Sequence, residues 1–359
     1  MTPGLPNMQT RSLRTTTQRG FTLIELLVTV IVIGIVTAIL APVLGELLSS
    51  QRQAYNEKHN LNNQLIAKGL SDFARNTSPT GRLPAPYTGG GYDNTIFNPA
   101  DATPAGAALT QALTQTGVQV NEINDDGTAA RMVRVYQTIT TPTIDIPLYF
   151  QSGPLVTLNY DFGALYLSQC SMSTASCNPT AATGIPGSSP ALTSGNFSSY
   201  ASTGTDGRVQ FVSSLPVQKE MLARSTERLE KVRNVMLGYL RARQISAAAG
   251  DQTNWFPNQL GASAAGSLTG ATPATNQGCR DGWYTLGTST TILLTVGLAP
   301  EEFARTAWGG AIQYCRDYDP SGTGTPNGPP HYGALRINKS VSTGAAPTAV
   351  AADNIVLTF

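Results

Sequence analysis

A run of 19 residues without a charged side chain, Leu26–Leu44, constrains this chain more than any other feature. A helix of about 20 apolar residues spans the hydrocarbon core of a bilayer. Residues 1–20 contain three arginines and no acidic residue, and basic flanks favour the cytoplasmic side of a membrane. The pattern predicts one helix that crosses the membrane, with the rest of the chain exported.

Two features distinguish this segment from a secretory signal peptide. Such a peptide is cut after its apolar core, whereas the plausible cut here, between Gly20 and Phe21, precedes the apolar run. Glu25 then places a carboxylate near the start of the run, and an ionisable group in a membrane helix indicates a function. A plain signal anchor with a chance glutamate is the alternative.

The residues from Arg19 to Leu27 read Arg-Gly-Phe-Thr-Leu-Ile-Glu-Leu-Leu. This segment resembles the class III signal and first helix of type IV pilins and type II secretion pseudopilins, and the resemblance covers about residues 14–50. It implies that a prepilin peptidase cuts after Gly20 and methylates the new amine of Phe21. It also implies that Glu25 attracts the N-terminal amine of an adjacent pilin subunit, and that an inner-membrane platform assembles the subunits.

Gly34 and Pro42 lie where many pilins carry a glycine and a proline in this helix. Proline lacks the N–H that continues a helix, and glycine weakens a helix. We therefore expect the segment between them to kink or unwind when subunits pack into a fibre. Both residue types are also frequent in ordinary membrane helices.

The pattern beyond the span predicts an α+β fold, which the resemblance implies is pilin-like. Its long N-terminal helix, transmembrane in its first half, would pack on an antiparallel sheet and end near residue 76. We expect a leader at 1–20, a membrane and filament-core helix at 21–44, a first head lobe at 45–213 and a second helix-plus-sheet lobe at 214–359.

The second lobe is predicted to begin with an amphipathic helix at Val217–Arg243, preceded by Ser213 or Ser214 as its cap. The strands alternate apolar and polar residues between Pro and Gly turns. We expect strands at 132–140, 144–150, 155–160, 165–168 and 208–213 in the first lobe, and at 290–296, 311–315, 333–339 and 354–359 in the second.

Four cysteines, Cys170, Cys177, Cys279 and Cys315, lie on the exported side. An even number in an oxidising compartment favours disulfides. Three sets of pairs are possible, and we favour Cys170–Cys177 with Cys279–Cys315 because each pair stays within one lobe. A C-terminal disulfide is also common in pilins. A zinc site of all four cysteines is the alternative, although no pair has the usual close spacing.

Asp317, Asp319 and Ser321, followed by Gly322, match the first half of a calcium-binding loop. The twelfth position of that loop is Gly328 instead of glutamate, so a strong ligand is missing. A solvated Asp/Gly turn is the alternative. Calcium is the one cofactor that the sequence suggests.

Little in the sequence points to catalysis or to nucleic acid. Two histidines make a Ser-His-Asp triad or a histidine-based zinc site hard to assemble. The net charge of +1 gives no basic footprint for nucleic acid. We therefore expect a structural protein and not an enzyme.

These features predict a subunit, a large or minor pilin, of a type IV pilus-like filament. It would cross the inner membrane once and then enter a filament at the bacterial surface or in the periplasm. Removing 20 of 359 residues leaves a mature chain of 339, and this large size favours a minor, adhesive or conjugative pilin. A pseudopilin of a type II secretion system and a membrane-anchored exported binding protein are the alternatives.

Overall fold

The computed structural model describes residues 23–88, 94–98, 103–104, 107–118, 123, 132–149, 153–171, 191–201, 205–258, 277–280, 282–320 and 330–359. These residues form a mixed α+β protein with a long N-terminal helix, antiparallel sheets and a second sheet lobe. The predicted fold class is confirmed. The chain divides into two compact units, Met1–Asn56 and Glu57–Phe359.

Helix α1 runs from Leu23 to Asn76, so its 54 residues extend about 80 Å. Its residues before Asn56 are almost all exposed, whereas its second half carries a buried face. The amides of Thr77 and Ser78 both donate to the carbonyl of Phe73, which closes the last turn. The buried residues of the second half are His59, Asn62, Asn63, Ile66, Gly69, Leu70, Phe73 and Ala74.

Four further α-helices and eleven strands follow within the described residues. The helices are α2 (Ala107–Thr114), α3 (Leu215–Ser246), α4 (Thr290–Thr295) and α5 (Pro300–Phe303). The strands are β1 (Phe97–Asn98), β2 (Thr103–Pro104), β3 (Met132–Ile139), β4 (Thr143–Pro147), β5 (Leu155–Asn159), β6 (Phe162–Ser171), β7 (Thr205–Ser213), β8 (Tyr284–Thr285), β9 (Gln313–Cys315), β10 (Ala334–Asn338) and β11 (Asn354–Thr358).

A three-stranded sheet in the order β3-β6-β7 covers the second half of α1. Alternate side chains of a strand point to opposite faces, and both faces of this sheet contribute side chains to a hydrophobic core. One face packs on α1 and α2 around Ile66, Leu70 and Tyr136. The other packs around Val135 and Tyr166 against residues 191–200.

A second core forms around α3 and the four-stranded sheet β11-β10-β9-β8. Leu229, Val232 and Met236 recur along α3 at helical spacing and are fully buried. The hairpin β4–β5 also contributes to this core. The amide of Thr157 in β5 donates to the carbonyl of Lys339 at 3.0 Å, which ties the hairpin to the C-terminal region.

The strand expected at 290–296 is wrong, since Thr290–Thr295 is helix α4. Ile292 and Leu293 are neighbours and both are buried, which an alternating strand on a one-sided sheet does not allow. Gly297 adopts a φ of +76°, and the amide of Leu298 donates to the carbonyl of Leu293 at 2.9 Å. This glycine-terminated closure ends the helix.

Asp161 joins the loop after α1 to the start of α3. Its carboxylate accepts a hydrogen bond from the amide of Leu83 at 2.7 Å and pairs with Arg82 at 2.9 Å. Its own amide donates to the hydroxyl of Ser214 at 2.7 Å. Ser214 therefore precedes α3 as expected, but its side chain binds Asp161 and makes no capping hydrogen bond. Burial raises the pKa of Asp161, and Arg82 opposes this shift.

Gln218 of α3 connects the two cores. Its side chain is fully buried, and its Nε2 donates to the carbonyls of Thr80 at 2.9 Å and Gly81 at 2.8 Å. Its Oε1 accepts a hydrogen bond from the indole Nε1 of Trp308 at 2.8 Å. One side-chain amide thus forms hydrogen bonds with two carbonyls of the loop after α1 and with the indole of Trp308 in the second core.

Replacing Gln218 tests this connection. We expect Gln218→Ala to lower the free energy of unfolding by about 3 kcal/mol, because it leaves the Trp308 indole and two carbonyls without this partner. Gln244→Ala is the matched control, because Gln244 lies on the same helix but is exposed. Urea unfolding of the purified protein in detergent measures both changes. Equal losses for the two variants would contradict the connecting role.

Candidate functional site

The first half of α1 is an apolar surface without a covering layer in the single chain. Leu23 is 82% exposed and Ile24 is 73% exposed, and no residue in the most apolar window of α1 is buried. Exposed apolar surface of this extent marks a binding surface for lipid or for other proteins. Among the described residues, α1 is the helix that is long and apolar enough to cross a membrane.

Glu25 lies in the first turn of α1. A carboxylate is favourable there because the first turn has unpaired N–H groups and a partial positive charge. The hydroxyl of Thr29 donates back to the carbonyl of Glu25. A shallow hollow on this side of the helix is lined by Ile24, Glu25, Val28, Thr29 and Val32. This arrangement places a carboxylate within an apolar strip.

The helix continues through Gly34 and Pro42 in the single chain. Pro42 has no N–H to donate to the carbonyl of Ala38, so one backbone bond is missing at that turn. A methyl group on Gly34 would meet no atom within 4 Å. Packing within one chain therefore does not require this glycine. A role in flexibility when subunits pack stays a prediction.

Several predicted site residues lie outside the described part of the chain. These are Gly20 and Phe21 at the expected cleavage site, Cys177, and Ser321 of the calcium candidate. Cys170 lies in β6, but its side chain is not described. The expected Cys170–Cys177 pair is therefore not described either.

Cys279 and Cys315 form a disulfide with their Cα atoms 5.9 Å apart. Both residues are fully buried and pack with Ala334. The bridge fixes the segment before β8 against β9. The amide of Arg280 donates to the carbonyl of Asp317 at 2.9 Å in the same place.

The two aspartates of the calcium candidate face an arginine. Arg280 Nη2 lies 3.1 Å from a carboxylate oxygen of Asp319, and its Nη1 lies 3.5 Å from one of Asp317. Both aspartates are buried, so a neighbouring cation offsets the cost of taking them out of water. Within the described part of the chain, no group of three or more His, Cys, Asp and Glu side chains could hold a metal. Calcium at this position stays a prediction.

Sequence reasoning missed Arg280 as the partner of these carboxylates. The residue lies far from Asp317 along the chain, and the disulfide beside it brings the two together. Its position next to Cys279 would have been informative only once the pairing of Cys279 with Cys315 was known.

Comparison with known proteins supports the interpretation of the N-terminus. A family model, the prokaryotic N-terminal methylation motif, matches residues 15–41. This stretch includes Gly20, Phe21, Glu25 and Gly34. The chain matches no curated protein and no solved structure.

The ion pairs of Arg280 are buried, so their loss should destabilise the protein more than the loss of an exposed ion pair. We expect Arg280→Gln to lower the free energy of unfolding by about 3 kcal/mol, because two buried carboxylates lose a cation. Arg224→Gln, which removes an exposed pair with Glu220 at 2.7 Å, should cost less than about 0.5 kcal/mol. Urea unfolding measures both changes, and a small loss for Arg280→Gln would contradict the assignment.

A rise in Tm when calcium replaces chelator would support the calcium site.

Proposed function

Because residues 15–41 carry the methylation motif, the class III signal of type IV pilins and pseudopilins, we propose that this protein is a pilin that polymerises into a surface filament. The motif implies processing by a prepilin peptidase and assembly with pilin-like subunits. The observation that carries the proposal is the uncharged, exposed span of α1 with Glu25 in its first turn. That span holds the precursor in the inner membrane and becomes the filament core after assembly.

Glu25 has a physical role in this assembly. Cleavage after Gly20 creates a positively charged amine on Phe21, which must enter the apolar core of the filament. An unpaired charge in such surroundings is costly, whereas a paired one is tolerated. The Glu25 carboxylate of a neighbouring subunit neutralises that amine and sets the register between two helices. The function is thus assembly, and the head supplies the outer surface of the filament.

The size of the head favours a large or minor pilin over a standard major subunit. The second compact unit, Glu57–Phe359, contains two sheets of three or more strands and the long helix α3. A filament core needs only the N-terminal helix, so a head of this size offers additional surface for binding a target. Immunogold labelling of intact cells would place the protein on surface fibres, whereas a pseudopilin would remain in the periplasm.

The first test is the intact mass and N-terminal residue of the protein from its own cells. We expect a chain that begins at N-methylated Phe21. A chain that keeps residues 1–20, in cells with an active prepilin peptidase, would refute the proposal.

The second test separates Glu25 from the rest of the helix. We expect Glu25→Gln to be processed and inserted normally but to lower filament yield at least about tenfold, equivalent to about 1.4 kcal/mol. Glu46→Gln is the matched control, because it removes the same charge beyond the uncharged span. Sheared filaments, quantified against the membrane pool, give the yield. Normal assembly of Glu25→Gln would contradict the role of the carboxylate.

A further inference from the structure

The backbone groups of strand β4 face two different directions. The amide of Tyr160 donates to the carbonyl of Pro142 at 3.1 Å, so these two residues form a hydrogen-bonded pair at the start of the hairpin β4–β5. The next pair along the ladder is Thr143 with Asn159. Hydrogen-bonded and non-hydrogen-bonded pairs alternate in an antiparallel ladder. Thr143 and, two residues later, Asp145 therefore direct their N–H and C=O groups away from β5.

The two outer edges of this hairpin have different surroundings. On β5, the amide of Thr157 donates to the carbonyl of Lys339 at 3.0 Å, and the amide of Asn159 donates to the hydroxyl of Ser342 at 2.8 Å. On β4, the outward N–H and C=O groups form no hydrogen bond with any residue that the structure describes. A row of such unpaired groups is a template for pairing with another strand.

An apolar groove lies between β4 and helix α3. Its volume is about 680 Å³, within the range of about 300–1,000 Å³ that is usual for ligand sites. Ile144 and Ile146 line it on the strand side, and Ala223 lines it on the helix side. A hydrogen bond of 3.2 Å from the hydroxyl of Thr226 to the carbonyl of Leu148 joins the two walls.

The groove lies on the open side of the hairpin. Its described lining comes from β4, from the residues just after β4 and from α3, and includes no residue of β5. Val156 and Leu158 of β5 are fully buried in the core, whereas Ile144 of β4 is 37% exposed. A strand that paired with the outer edge of β4 would therefore extend the hairpin over the groove.

The side chains of β4 define what such a strand should carry. Alternate side chains of a strand share a face, so Ile144 and Ile146 face the groove and Asp145 faces the opposite side. Asp145 is exposed and accepts a hydrogen bond from the hydroxyl of Thr157 at 2.6 Å, and it forms no ion pair with any described residue. Opposite charges on directly facing residues of two strands stabilise their pairing. The complementary strand therefore has a basic residue opposite Asp145 and an apolar residue on each side of it.

The charges on the helix side of the groove do not select a ligand. Lys219, Glu227 and Glu230 all line it, so both signs are present at its rim. The open backbone groups and Asp145 are the features that distinguish an extended peptide from other apolar ligands.

The chain itself does not offer this pattern on its surface. Two of its basic residues, Arg134 and Arg336, have valine, leucine or isoleucine on both sides. Arg134 and its two neighbours are buried in β3, and Arg336 and its two neighbours are buried in β10. A second folded copy therefore does not supply the complementary strand.

We propose that β4 and the groove beside it bind an extended segment of a different protein, which adds to the hairpin as an antiparallel third strand. The segment reads apolar-basic-apolar, with both apolar side chains in the groove and the basic one beside Asp145. Strand addition of this kind obtains affinity from main-chain hydrogen bonds and specificity from alternate side chains. The proposal does not depend on filament assembly, because edge and groove both belong to the unit Glu57–Phe359.

Synthetic peptides test the pairing on the full-length chain in lipid nanodiscs. The probe is a fluorescein-labelled peptide, Ser-Thr-Val-Lys-Val-Thr-Ser, and fluorescence anisotropy measures its binding. The control is the same peptide with a methyl group on the backbone nitrogen of its lysine, which keeps every side chain but removes the N–H that donates to Asp145. We expect the methyl group to weaken binding at least about tenfold. Equal binding of the two peptides, or no binding of the probe at millimolar concentration, would overturn the proposal.

Two protein variants test the groove and the register. Ala223→Trp should fill the groove and weaken binding at least about tenfold, whereas Ala242→Trp is the control because Ala242 is exposed on the same helix outside the groove. Asp145→Lys should reverse the preference, so that the peptide with glutamate in place of lysine binds better. Asp251→Lys is its control, because Asp251 is also exposed and also accepts a threonine hydroxyl.

The remaining outcomes identify the occupant. An unchanged preference in Asp145→Lys, or equal losses in each variant and its control, would overturn the proposed register. Displacement of the probe by unlabelled full-length chain would show that a second copy occupies the groove, and would also overturn the proposal. A chain that is not processed after Gly20 refutes the pilin function but leaves the peptide measurements as they stand.

Discussion

The buried amide of Gln218 is the interaction on which the arrangement of the head depends. It satisfies two carbonyls of the loop after α1 and the indole of Trp308 at once. A buried polar group without partners is costly, so few positions of α3 are compatible with this set of bonds. Apolar side chains of about the right volume stabilise a core before they fix a single arrangement of it. The three hydrogen bonds of the amide favour one position of α3.

The fold was predictable where local pattern and tertiary environment agree. The turn residues after Asn76 predicted the end of α1, and the alternation in 132–140 predicted β3, which runs from Met132 to Ile139. At Thr290–Thr295 the β-branched residues suggested a strand. The glycine closure at Gly297 and the burial of adjacent Ile292 and Leu293 favoured a helix instead. The secondary structure of such short runs depends on the surface that they pack against, and that surface cannot be identified from the sequence.

The same distinction applies to Glu25, to the groove beside the hairpin β4–β5 and to Arg280. Glu25 stands out in the sequence because it is a lone charge at the edge of an apolar run. Its neighbours in the chain are therefore enough to identify it. The apolar groove that Ile146 and Ala223 line is different, since these two residues are far apart in the chain and come together only after the hairpin β4–β5 packs on α3. Arg280 likewise acquires its partners through the bridge between Cys279 and Cys315. No spacing of nearby residues in the sequence predicts either arrangement.

The connection at Gln218 also has a consequence for export. Gln218 follows Thr80 by 138 residues, and a translocated chain emerges from its N-terminal end. If the chain is exported as proposed, the apolar stripe of Ile66 and Leu70 crosses the membrane well before α3 arrives to complete the core. During that interval the apolar stripe would be exposed on a chain that is anchored in the membrane by the first half of α1. Slow translocation or crowding of nascent chains would therefore lead to aggregation at the membrane before the head can close.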